Sequence, residues 1–272
     1  MLMKLFKHEW KYFWKVPAVI NISLIVMSLI GIGFLASPLW SLDYEFIDVF
    51  IMLGTMIFYV GILSGSLGLI IYTAVRYYKN VYTDEGYLTN TLPVTARQIV
   101  LSKLFVSTIW NFITSIIIVV CSYVLVYFSL ISYGDVDFSY ELSIFWDEFL
   151  AMGNGSDWFV FVTSLIFCLI ISPFFNITML YSSIALGQLF KKHKVAGAVA
   201  WYMGEYMIIQ IATTLIMNVP LFAALTAIEN SDISMLAILN PLMYGTDILM
   251  LVMTVILYFI AEYMLKKKLN LD

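Results

Sequence analysis

Residues that carry chemistry are scarce in this 272-residue chain. There are two cysteines and two histidines. Cys121 and Cys168 stand singly inside apolar runs, no CxxC pair occurs, and His8 and His193 are far apart in sequence. This pattern predicts neither a disulfide framework nor a metal site. The phosphate-loop pattern GxxxxGKS or GxxxxGKT is missing, as is HExxH, so neither ATP binding by such a loop nor zinc proteolysis is expected. Pairs such as Gly65-Ser66 are too common to indicate a serine hydrolase. Charge is also scarce, at 12% of residues. No bond chemistry is expected of this chain, and it is not read as an enzyme.

Apolar surface is abundant. Hydrophobic residues make up 62% of the chain and aromatic ones 17%. A soluble domain of this length cannot hide so much apolar surface, and runs of about twenty apolar residues indicate membrane helices. All fourteen Lys and Arg fall in short clusters: Lys4/Lys7/Lys11/Lys15, Arg76/Lys79, Arg97/Lys103, Lys191/Lys192/Lys194 and Lys266/Lys267/Lys268. Three gaps, 16–75, 104–190 and 195–265, contain no basic residue. Each is long enough to cross a bilayer and return. Basic residues near span ends stay on the cytoplasmic side. The expected fold is therefore all-α and integral to the membrane, one transmembrane domain over 1–272, with six transmembrane helices and both termini in the cytoplasm. The outward segments carry acid only: Asp43, Glu45 and Asp48, then Asp135 to Asp157, then Glu229 and Asp232. The net charge of −4 averages two unlike faces. The basic clusters are small and juxtamembrane, so no nucleic-acid partner is expected.

Residues 1–15 read as an interfacial amphipathic helix. Lys4, Lys7, His8, Lys11 and Lys15 share one face; Leu2, Phe6, Trp10, Phe13 and Trp14 share another. Such a helix lies in the headgroup layer, with lipid as its partner, or packs on a partner protein. The apolar run from Val16 to Leu39 is too long for a signal peptide and reads as the first span. Span two covers about 47–75, and Gly61 and Gly65 on it form a small-residue face that lets a helix approach closely. Residues 76–103 form the one sizeable cytosolic insertion. Within it Thr83 to Asn90 suits a short helix, which Leu92-Pro93 ends. Thr95 and Gln98 have the spacing of a capping box, and the helix they begin runs without a break into span three. The outer segment 133–157 holds an amphipathic stretch built on Leu142, Phe145, Trp146, Phe149 and Leu150, closed by Gly153-Asn154-Gly155. A kink or break is expected at Pro173 in span four and an interruption at Pro220 in span five. A short helix dipping back toward the membrane is expected within 226–241, before a sixth span over 242–265.

Glu205 is the polar residue to watch. It lies eleven residues after Lys194, about 15 Å along a helix, where a carboxylate must be neutral, paired or wetted. Two readings fit: a substrate-contacting or water-lined site between subunits, or a hydrogen-bonded group that joins helices. Asn176 and Asn111 are possible hydrogen-bond partners, Gln210 lies at a moderate angle from it, and Ala196, Ala200 and Gly204 give a smooth helix face beside it. Glu262 is placed to pair with Lys266, and Asp247, near the outer end of span six, needs no special role.

The insertion carries a family resemblance. Asp84-Glu85-Gly86-Tyr87-Leu88, Thr91-Leu92-Pro93-Val94, Gln98-Ile99 and Ser102-Lys103-Leu104 resemble the cytosolic signature of bacterial ATP-binding-cassette type-2 transporter permeases, in particular the small Gram-positive permeases encoded apart from their ATPase. The resemblance implies an exporter of the type V fold in the bacterial plasma membrane, assembled from two permeases, identical or paralogous, and two ATPase subunits. Asp84, Glu85, Gly86, Tyr87, Leu88, Leu92 and Pro93 would then form the coupling helix that docks on the ATPase. The chain itself would hold no cofactor, with ATP and magnesium belonging to the ATPase. The expected cargo is amphipathic: a peptide, an antibiotic or a lipid. An ion-coupled carrier using Glu205, or a non-transporting membrane partner of an ATPase, are the alternatives. For the carrier, Pro173 and Pro220 do not occupy equivalent positions in two halves.

Overall fold

The computed structural model describes residues 2–35, 37, 45–83, 86, 94–132, 138–153, 155–228 and 235–267. Among these residues there are eight helices and no strand: α1 (Leu2–Phe13), α2 (Lys15–Leu35), α3 (Glu45–Tyr82), α4 (Ala96–Ser132), α5 (Phe138–Ala151), α6 (Gly155–Gly187), α7 (Lys194–Ile228) and α8 (Met235–Lys267). Six of them, α2, α3, α4, α6, α7 and α8, are long and apolar enough to cross a membrane. The chain therefore has the character of a multi-pass membrane protein. Backbone groups in a bilayer must be satisfied within the segment, which is why such apolar runs become uninterrupted helices.

No break occurs at the prolines. Pro173 is buried inside a continuous α6, α7 runs unbroken past residue 220, and α8 runs through Pro241. A helix that has no water to turn to keeps its remaining hydrogen bonds, and neighbouring helices accommodate the proline. The short separate helix expected within 226–241 is also absent from the described part: Met235 to Asn240 form the first turns of α8.

Contacts divide the chain into two units. One comprises 10–73 and 109–147. Its core is Leu24, Leu35, Ile51, Ile62, Cys121 and Leu125, with Phe34 and Phe58 packed against it. Here α2 occupies the small-residue face of α3: a Cβ at Gly65 would lie 2.6 Å from Leu24 Cδ2, and one at Gly61 would collide with Met27. Buried Thr114 donates to Asn21 Oδ1 at 2.7 Å. Trp10 meets Trp110, and Phe13 meets Tyr72.

The other unit comprises 1–9, 74–108 and 148–272. Phe175, Met179 and Leu257 form its core, flanked by Tyr202, Ile209 and Met250. The Leu236 amide donates to the Met152 carbonyl at 3.1 Å, which ties the start of α8 to the end of α5. Phe149 on α5 meets Trp158 on α6 at 4.4 Å between ring centroids. The turn over 188–193 closes α6 on α7 so tightly that a Cβ at Gly187 would lie 2.5 Å from the Ala198 nitrogen.

Candidate functional site

The second of these units holds most of the buried polar groups that a long apolar helix would otherwise avoid. The largest cluster gathers at the two stems of the 84–93 segment, the end of α3 and the start of α4. Lys103 on α4 is 5% exposed. Its ammonium makes a short ion pair with Glu9 on α1. The other Glu9 oxygen lies 3.7 Å from the Arg76 guanidinium on α3. One carboxylate thus bridges a cation on each stem. A buried ammonium is tolerable only with such a partner.

Aromatic and hydroxyl groups continue the cluster. Tyr181 on α6 stacks on Tyr77 of α3, with centroids 3.6 Å apart and planes within 8°. Its hydroxyl lies 2.8 Å from Ser107 Oγ and donates to the Lys103 carbonyl at 3.4 Å. Tyr77 also meets Tyr82 edge-on at 6.0 Å. At the start of α4 the capping box is present as the sequence predicts: the Gln98 amide donates to Thr95 Oγ1, and the Thr95 amide donates to Gln98 Oε1, both at 3.3 Å. Both stems are therefore fixed by side chains whose partners lie elsewhere in the chain.

Of the residues expected to couple to an ATPase, Asp84, Glu85, Tyr87, Leu88, Leu92 and Pro93 lie outside the described residues. Gly86 is described. Its amide donates to the Thr83 carbonyl at 2.7 Å, and it is buried. A Cβ there would strike the Val81 carbonyl, so the close approach that glycine allows here is to its own chain.

Glu205 is buried on α7. Ser182 Oγ on α6 lies 2.9 Å from each of its carboxylate oxygens and 3.0 Å from the Met179 carbonyl. The donor is thus a serine, not the asparagines considered from sequence. Asn176, Gln210 and Ala200 are exposed instead, and Gly204 is half-buried with open space where a Cβ would stand. The structure does not gather these five residues into one site.

A second carboxylate, Asp247, to which the sequence assigns no special role, is also buried on a membrane-type helix. Asp247 on α8 is 4% exposed and accepts a short hydrogen bond from Ser164 on α6. Seven residues before each, Asn240 Nδ2 donates to the Asp157 carbonyl at 3.1 Å. A seven-residue step returns to nearly the same helix face, so two polar rungs join α6 and α8. No ion pair joins Glu262 and Lys266, which corrects the pairing expected from their spacing. Glu9 was overlooked, although it is the one acid in the strongly basic first fifteen residues. Among the described residues no three His, Cys, Asp or Glu side chains converge as a metal-binding group.

Comparison with protein-family models, with curated proteins and with solved structures finds no match to this chain.

Proposed function

We propose that this chain is the membrane permease subunit of an ATP-binding-cassette exporter, worked by a separate ATPase that docks on the 84–93 segment. The observation that carries the reading is the pairing of that motif with its stems. Asp84-Glu85-Gly86-Tyr87-Leu88 and Leu92-Pro93 lie between two long membrane-type helices, α3 and α4. Glu9 braces both helices beside the segment through Arg76 and Lys103. A push on the segment passes into stiff helices, which is what rigid-body transmission needs. Tyr87, Leu88 and Leu92 would fill an apolar cleft on the ATPase, Asp84 and Glu85 would pair with basic groups there, and Pro93 would stiffen the exit. The basic clusters support cytoplasmic termini in a bacterial plasma membrane, and exposed Lys4, Lys7 and Lys11 on α1 suit anionic lipid. Two such permeases and two ATPases make the working assembly, and the cargo is an amphipathic peptide, antibiotic or lipid.

Co-purification with the ATPase encoded beside it tests the reading. The parent chain should capture the ATPase and stimulate its hydrolysis, and Glu85→Lys and Tyr87→Ala should lose both. Equal capture and equal stimulation in all three proteins would refute it. Glu205, buried in a span, supports one other reading, an ion-coupled carrier. That reading requires transport by the purified chain with no ATPase present.

A further inference from the structure

The inner half of α6 is closed in on every side. All nine residues from 177 to 185 are buried, a run of about two and a half turns. Among the described residues no other helix has a buried run of more than three. A packed interior leaves few voids, so a side chain here moves only if its neighbours move with it.

Two adjacent residues in this run face different partners, because successive side chains point about 100° apart around a helix. Tyr181 turns to the stems of the 84–93 segment. It stacks on Tyr77 of α3, and its hydroxyl reaches Ser107 Oγ and the Lys103 carbonyl of α4. Lys103 in turn shares Glu9 with Arg76 of α3. Ser182 turns to α7 and meets both carboxylate oxygens of Glu205. A continuous line of polar contacts therefore runs from the stems through Tyr181 and Ser182 to the buried carboxylate.

The Ser182 hydroxyl is the part of this line with two settings. It carries one proton and has three acceptors in reach, the two Glu205 oxygens at 2.9 Å and the Met179 carbonyl at 3.0 Å. Turned to Glu205, it serves the carboxylate. Turned to Met179, it closes back on its own helix, and the carboxylate loses its donor from α6. Coupling between separate sites needs such a two-state element that both ends bias. Tyr181 biases it from the stem end, since its hydroxyl is anchored on α4 and its backbone is joined to that of Ser182. We propose that Tyr181 is a positioning residue: it sets whether the Ser182 hydroxyl serves Glu205, and so lets a displacement of the stems change how the carboxylate on α7 is held. The source of the displacement rests on the ATPase reading above; the relay itself rests on this chain alone.

The test measures labelling of individual carboxyl groups by dicyclohexylcarbodiimide in the full chain, located by peptide mass spectrometry. Asp247 is the internal control. It is also a buried carboxylate held by a serine of α6, but that serine, Ser164, lies seventeen residues before Tyr181, about 26 Å along the helix. Ser182→Ala removes the donor and should raise Glu205 labelling. Ser107→Ala and Tyr181→Phe leave Ser182 and Glu205 in place, and the phenylalanine keeps the ring stack. Each should raise Glu205 labelling by about fivefold or more and leave Asp247 labelling unchanged. The two changes combined should do no more than either alone, as members of one line. Thr108→Val, which alters the neighbouring buried hydroxyl on α4, should leave Glu205 at the parent level. Unchanged Glu205 labelling in any of the first three variants, an equal rise at Asp247, or an equal rise in Thr108→Val would overturn the proposal. Adding the ATPase with ATP separates the two claims. Labelling of Glu205 that responds to nucleotide in the parent and not in Tyr181→Phe supports both. Failed capture of the ATPase with the variant pattern intact supports the relay and removes only the ATPase reading. Capture with no nucleotide effect on Glu205 would overturn the relay.

Discussion

Lys103 and Glu9 set the residue scale, because each is tolerable mainly through the other. Lys103 has almost no water around it, and removing the partner of a buried charge costs about 3–5 kcal/mol. Glu9→Gln is expected to lower the thermal denaturation temperature of the purified chain in detergent, and Lys103→Met added to it should recover most of the loss. An equal loss in the double variant would show that the two charges are not coupled. Ser182 and Glu205 make a milder pair. Ser182→Ala removes the donor that spans the carboxylate and should cost about 1–3 kcal/mol. Glu205→Gln keeps an acceptor for Ser182 and should stay folded, so its transport can be compared with that of the parent. Unchanged transport and specificity would leave Glu205 as a tie between α6 and α7 and nothing more.

The elements divide by whether their causes are local. The start of α4 is legible from four residues, because Thr95 and Gln98 satisfy each other's amides whatever surrounds them. Thr95→Ala should lower stability by about 1 kcal/mol, measured by denaturation. The end of α5 falls where Gly153 marks it, just beyond Ala151, but the neighbour that needs the missing Cβ there is Leu236, a tertiary fact. The prolines are not legible in this way, since the fate of Pro173 depends on the neighbours that bury it. The glycines of α3 are intermediate: their spacing marks a close contact, while its occupant, α2, is a tertiary fact. Gly65→Leu should therefore disrupt the packing of α2 on α3. Gly68→Ala, which meets nothing within 4 Å, should be tolerated. Melting curves of the two variants decide this, and equal destabilisation would show that Leu24 does not seat on Gly65.

For the whole molecule, the coupling reading depends on which side of the membrane holds the 84–93 segment. A Thr89→Cys variant in the Cys121→Ala/Cys168→Ala background should react with a membrane-impermeant thiol reagent in inside-out vesicles and not in intact cells. Reaction in intact cells would place the segment outside and end the ATPase reading. ATP-dependent transport by vesicles carrying both the chain and its ATPase, lost on removing the ATPase, is the matching functional measurement.

The amino-acid order by itself determined the six long apolar helices, the basic and acidic segments between them and the cap at Thr95. Each of these follows from hydropathy, charge or hydrogen bonds within a few consecutive residues. Tertiary structure decided which polar side chains are shared: Glu9 between Arg76 and Lys103, Ser182 on Glu205, Ser164 on Asp247, and Gln210 left outside every such pair. Partners separated by up to 94 residues in sequence meet only once the helices have packed, because hydrogen bonds and ion pairs form between groups that are near in space, and no local pattern specifies which distant groups those are.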